Sequence, residues 1–194
     1  MITILLDSSN RDLAVGIAKN DTLIEETVYE AWQRQSESMV PELDKLLRKH
    51  GIVRSDISDV VVGIGPGSYT GVRIALTIAK VLALALNVPL YGVSSLRMMK
   101  IFDKPTITLI NARSNRSYIG VYEGNKIILK DQIMKNEDVI NYVNEHPDYV
   151  LSGDLEYLNL DGVKADVIKE MLSLKKNLAS LDNALGAKPI YLKD

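Results

Sequence analysis

Sliding the chain against itself by 104 positions lays Asp7 on Asn111, Val15 on Ile119, Gly16 on Gly120, Ile17 on Val121 and Leu23-Ile24 on Ile127-Ile128. A fixed offset of this kind asks for one supersecondary unit built twice, which restricts the fold more than any single motif does. The order of elements repeats with it. Residues 2–7 are β-rich and stop at Ser8-Ser9-Asn10. Leu13, Val15 and Ile17 then alternate with smaller or polar residues as in a half-buried strand, and Asn20-Asp21 turns the chain into a third strand. In the second half, residues 106–111, 117–122 and 126–131 read as strands, and 149–151 as a further strand before Ser152-Gly153-Asp154.

Helices follow each set of strands. Over residues 36–50, Met39, Val40, Leu43, Leu46 and Leu47 share one helical face and Gly51 supplies the stop. Pro41 suits only a first turn, so this helix is expected to begin near Ser38 or to bend there. Residues 137–145 form its counterpart, with Asn136 as the expected cap. A buried-type strand over 59–64 leads into GPGSYTGVR and a long helix to Asn87. Residues 89–102 read as a short strand plus a short helix, and 161–185 as helical. With Asp103-Lys104-Pro105 as hinge, the pattern predicts an α/β protein of two duplicated lobes, residues 1–102 and an abbreviated 103–194, facing one another across a cleft. Two unrelated α/β subdomains are the alternative.

Composition narrows the chemistry. Lysine and arginine total 23 against 25 acids, a net charge of −2, so no overall positive field is present to hold a polyanion. Absence of cysteine excludes disulfides, thiol nucleophiles, thiolate zinc sites and iron–sulfur clusters. The two histidines, His50 and His146, are far apart in sequence and form no close zinc-binding pair, so no metal site is expected. MITILLD lacks a basic leader, and the apolar run over 81–96 is broken by Asn87, Pro89 and Gly92, short of the ~20 largely uninterrupted residues of a membrane span. A cytoplasmic protein without a membrane segment is expected.

The loop GPGSYTGVR puts three glycines between a strand and a helix, where backbone amides can approach an anion and Ser68 or Thr70 can cap the helix. It is neither a Walker loop nor the GxGxxG fingerprint, because no lysine follows and the third glycine arrives one residue late. Asp7 with Ser8 and Ser9 ends the first strand, where a carboxylate beside hydroxyls suits Mg²⁺ and phosphate; its repeat mate Asn111 keeps an acceptor but loses the charge. The expected phosphate-facing set is therefore Asp7, Ser9, Gly65, Gly67, Ser68 and Asn111. Each also has a structural reading: a tight capped turn for the loop, an Asx-turn for Asp7. Arg113 and Arg116 follow Asn111 and could meet phosphate or lie solvated.

The long helix carries more apolar surface than one sheet covers. On a wheel, Gly71, Ala75, Ile78, Leu82 and Leu86 form the expected sheetward side. Val72, Leu76, Ala79 and Ala83 line one flank, Ile74, Val81 and Ala85 the other, and Leu84 lies near a narrow polar strip. Apolar area of that extent either is covered by the second lobe or residues 161–185 or marks association, and two helices suffice for the roughly 800 Å² per partner of a stable contact.

ILLDSS, GPGSYTGVRIALTIAKVLALAL, INARSNRSYIGVY and PIYLKD, in that order along nearly the whole chain, resemble the bacterial TsaB family, also called YeaZ. The resemblance implies an actin-like (ASKHA, ribonuclease H-like) fold of two duplicated lobes. It also implies a non-catalytic subunit in making threonylcarbamoyladenosine beside the tRNA anticodon. Its partners would be the paralogue TsaD, the transferase, and the ATPase TsaE. No cofactor of its own is implied, ATP or ADP with Mg²⁺ being used by the complex; tRNA would be met only through the complex, and a homodimer would form when TsaD is absent. The TsaD contact is expected on the two long helices of the first lobe, through Met39, Leu43, Leu46, Ile74, Val81 and Leu84. Two residues depart from the family pattern: Gln35 stands where relatives often carry histidine, and Asn111 where an aspartate is often seen. An actin-like ATP-binding enzyme using Asp7 and the glycine loop, or a glycoprotease-type peptidase, is the competing reading.

Overall fold

Asn20 and Asp21 take the left-handed conformation, with φ of 50° and 60°, and so turn β2 (Asp12–Lys19) tightly into β3 (Thr22–Glu30). The computed structural model describes residues 1–192 except Trp32, Phe102 and Asp182; the last residue of the expected first lobe and the final Lys193-Asp194 of PIYLKD therefore lie outside the described residues. β1 (Ile2–Asp7) pairs antiparallel with β2 and parallel with β4 (Ile57–Gly63), and β5 (Leu90–Val93) completes a sheet of order β3-β2-β1-β4-β5. The second sheet has the order β8-β7-β6-β9, from β6 (Thr106–Arg113), β7 (Arg116–Glu123), β8 (Lys126–Lys135) and β9 (Val150–Gly153), with β9 parallel to β6. A three-stranded meander followed by a parallel fourth strand thus occurs twice. This is the expected duplicated α/β architecture.

The repeat is not in perfect register. Leu5 lies opposite Gly16, but Leu109 lies opposite Ile119 rather than Gly120, with an irregularity between Asn111 and Arg113. Gly16 and Gly120 are accordingly not equivalent. A Cβ on Gly16 would fall 2.4 Å from Ile168 Cγ2, whereas one on Gly120 would fall 2.4 Å from the Tyr122 hydroxyl oxygen.

α1 (Gln35–Lys49) and α2 (Tyr69–Leu86) cover one face of the first sheet over a core that includes Ile4, Leu6, Leu13, Val60 and Val62. α1 starts earlier than Pro41 suggests. Pro41 sits in its second turn on the exposed side, where water can serve the carbonyl that a proline nitrogen cannot. α2 is rolled relative to the expected wheel: Val72, Leu76, Ala79 and Ala83 are buried with Gly71 and Ala75, while Ile78, Leu82 and Leu86 are only half-buried. Gly71, Ala75, Ala79 and Ala83 recur every four residues, a ridge small enough for close packing. By length and composition α2 could cross a bilayer, yet this ridge belongs to the core.

α3 (Asn136–Glu145) packs on the second sheet through Val139. Lys135 precedes it; Asn136, expected as the cap, is instead its first residue and accepts a hydrogen bond from Ser117 Oγ at 2.9 Å. Of residues 161–185, α4 (Val167–Lys175) alone is an α-helix among the described residues, because the glycine and short polar residues around it favour irregular chain.

α4 returns to the first lobe. Its Ile168, Met171, Leu172 and Leu174 cover the remaining face of the first sheet against Leu5, Ala14, Val61 and Val93. Two ion pairs fasten it there: buried Lys100 to Glu170 at 2.7 Å and Lys175 to buried Asp59 at 2.8 Å. The chain beyond straps the same lobe, Leu181 N donating to Leu90 O and Ile190 N to Ile64 O, with Ala187 buried between. A boundary at 102/103 thus separates the two sheets, while residues 167–190 go back to the first core.

Candidate functional site

The glycine loop is shaped by what it packs against. Gly65-Pro66 is cis, Ser68 caps α2 by accepting from Gly71 N at 3.2 Å, and Ser68 N donates to Ser9 O at 2.7 Å. Cβ atoms would fall 2.2 Å from Ser9 O at Gly67 and 1.9 Å from Ser8 O at Gly71. The space a glycine frees for a phosphate is therefore filled by the backbone of the β1–β2 turn.

Asp7 does not face the cleft. It is buried, both carboxylate oxygens accept from Ser9 N at 3.2 Å, and Ser9 Oγ donates at 3.1 Å, which is the Asx-turn of its structural reading. Oδ1 occupies the place where a side chain on Gly63 would begin. Burial pushes its carboxyl up to about 7, only partly offset by the Ser9 hydrogen bonds. Asp7, Ser9 and Gly65 are enclosed, and this geometry does not fit a Mg²⁺–phosphate group; of the expected set, only Gly67, Ser68 and Asn111 come together on a cleft wall.

That cleft, of 430 Å³, opens between the α2 N-terminus and the β6–β7 hairpin, and Asn10, Arg11, Tyr69, Arg113, Tyr118 and Asp154 also line it. Asp154 bridges the lobes, accepting from Asn10 Nδ2 at 3.1 Å and Asn111 N at 3.4 Å, while Asn111 Oδ1 is used by Arg113 N at 2.8 Å. A neighbouring 620 Å³ cavity shares Asn10, Arg11, Asn111 and Asp154. Sequence reading missed Asn10 and Asp154. Their signal was position: each follows the end of a strand that points its carboxyl end at the cleft, where α/β folds place their sites. Arg116 lines a separate depression. His50 pairs with Glu25 at 2.6 Å on the surface, and His146 Nδ1 lies 2.8 Å from Tyr142 O; neither lines the cleft. Among the described residues no three His, Asp or Glu side chains gather as a metal cluster.

The helical face divides differently. Met39, Leu43 and Leu46, expected to meet a partner, are 0%, 4% and 2% exposed and fill the first core, because α1 turns its apolar stripe onto its own sheet. They are removed from the interface. Val81 (60% exposed) and Leu84 (48%) do face outward, with Val40 of α1 exposed and Ile74 half-buried beside a shallow groove that Ser36, Tyr69, Arg73 and Ile78 also line.

Residues 29–185 match the family model of TsaD, the tRNA N6-adenosine threonylcarbamoyltransferase. The tRNA threonylcarbamoyladenosine biosynthesis protein TsaB of Bacillus subtilis is 33% identical over 144 residues, 72% of this chain, which spans 62% of that relative's length. TsaB of Haemophilus influenzae is 26% identical over 84% of this chain and 82% of its own. The structure of YeaZ from Pseudomonas aeruginosa superposes with a TM-score of 0.81 at 20% identity, over 98% of this chain and 99% of that one. On these sequence matches the chain belongs to the TsaB (YeaZ) family, related to TsaD.

Proposed function

We propose that this chain is a non-catalytic subunit that pairs, through the outer face of α2, with a TsaD-type paralogue and helps to form the place where a TsaE-type ATPase docks. The observation that carries the reading is exposed Val81 and Leu84, large apolar side chains on the outer face of a helix whose other face is in the core. Apolar side chains held rigidly at a surface gain by association, roughly 25 cal/mol for each Å² removed from water. Groups that would do chemistry point elsewhere: Asp7 is enclosed and its hydrogen bonds are spent on Ser9. Nucleotide and Mg²⁺ used by the assembly belong, on this reading, to the partners, and the complex works in the cytoplasm. A self-pair through the same face is expected when the paralogue is absent.

Co-expression with the paralogue tests the pairing. Val81→Asp should weaken it at least about tenfold, since a carboxylate would have to be desolvated at the contact, while the melting temperature of the isolated chain stays within a few degrees. Undiminished co-purification with full tRNA modification would reject the assignment of this face. Calorimetry of the isolated chain with ATP and Mg²⁺ addresses the competing enzyme: tight binding and turnover, both lost in Asp7→Ala, would favour it.

A further inference from the structure

We infer that the mouth of the 430 Å³ cleft, lined by Tyr69 and Arg113, is together with Tyr191 and Arg73 packed on Tyr69 a contact surface for RNA. This rests on the proposed pairing only in that the assembly is what presents tRNA to the chain.

A net charge of −2 and an aromatic content of 6% point to no such surface, but the fold concentrates what the composition dilutes. Tyr69 at the start of α2 is 60% exposed, and Tyr191 of the C-terminal strap, 50% exposed, stacks on it with ring centroids 5.5 Å apart. Arg73 lies one turn along α2, its guanidinium carbon 5.0 Å from the Tyr69 centroid and its Nη1 donating to the Tyr69 hydroxyl at 2.6 Å. Across the cleft stands exposed Arg113, whose guanidinium has no hydrogen-bond or ion-pair partner among the described residues. Asp154 is the acid on this wall, and both its oxygens already accept hydrogen bonds, from Asn10 and Asn111.

Half-exposed aromatic rings beside arginines are an arrangement that binds single-stranded nucleic acid: a base can extend the Tyr69–Tyr191 stack and phosphates can meet the guanidiniums. The ground between Tyr69 and Arg113 is polar, with Ser68, Thr70 and Asn111 along it, unlike the apolar Val81–Leu84 patch. Fifteen residues of helix, about 22 Å, separate Tyr69 from Leu84, so a protein and an RNA can sit side by side on α2.

The test is fluorescence anisotropy of an unmodified tRNA transcript, titrated at low salt with the full chain in complex with its paralogue. Arg113→Glu with Tyr191→Ala should weaken binding about tenfold or more and flatten the salt dependence by roughly one power of salt per lost phosphate contact, leaving co-purification unchanged. Unchanged affinity overturns the inference. So does loss of the paralogue with RNA affinity per complex preserved, which would make the patch a protein contact. Should the wild-type chain not pair with the paralogue at all, the pairing reading falls, and the same titration on the single chain decides the RNA surface separately. Tyr191→Ala and Arg113→Lys measured singly cover a double variant that fails to fold: the first should weaken binding and the second largely keep it.

Discussion

Asp7→Asn is expected to raise the melting temperature at pH 8 while scarcely changing it at pH 4. The Asp7 carboxyl is enclosed, meets Ser9 but no cation among the described residues, and is pushed by burial from 3.8 to about 7. A group whose pKa is higher in the folded chain supports folding fully below its unfolded value, and that support is lost as pH rises through its folded value. Stability contributed by Asp7 should therefore fall between pH 4 and about 7 and level off above, by up to ~4 kcal/mol. Asparagine is nearly isosteric. Its oxygen can still accept from Ser9 N and its amide can donate to Ser9 Oγ, so the pH-dependent loss disappears with little lost in exchange. Thermal unfolding of both proteins across pH 4–9 reads the effect. A variant that melts lower than the parent at pH 8 would mean that Asp7 is stabilised as an anion, and the account of this turn would be wrong.

Gly71→Ala should lower stability by ~3 kcal/mol, a fall of about 6–12 °C in melting temperature for a chain of this size. Helix propensity alone argues the reverse, since alanine is favoured over glycine inside a helix by about 1 kcal/mol. Contact decides the sign. The new methyl would fall 1.9 Å from the Ser8 carbonyl oxygen, in a turn also held by Ser8 Oγ donating to Gly71 O at 2.8 Å and Ser68 N donating to Ser9 O at 2.7 Å. Neither partner is a flexible side-chain end, so the β1–β2 turn and the start of α2 must separate. Equal or higher stability would show that they separate easily, leaving the loop open to the phosphate that its glycines first suggest.

How much of this was written legibly in the chain differs element by element. Strands and hairpins were readable because Asn20-Asp21 and the alternation of Leu13, Val15 and Ile17 are local signals. The lobe repeat was readable too, though not the one-residue slip that separates Gly16 from Gly120, since register depends on cross-strand partners. The family resemblance puts Met39, Leu43 and Leu46 at a partner, and periodicity cannot correct it, because it shows that a stripe is apolar, not which neighbour covers it; their own sheet does. For Asp7 a carboxylate at a strand end admits a ligand site or an Asx-turn, and only the closeness of Gly63 and Ser9 separates the two. The Tyr69–Tyr191 pair joins residues 122 positions apart, beyond any local pattern.

The return of α4 to the first sheet has a consequence for how the protein is made. While a ribosome is still extending the second lobe, the sheet bearing Leu5, Ala14, Val61 and Val93 has one greasy side open, and the residues that close it, Ile168 to Leu174, have not yet emerged. The first half of the message therefore encodes an unfinished object that waits on the second, and a nascent chain stalled near residue 150 would present that side to chaperones as a ready target.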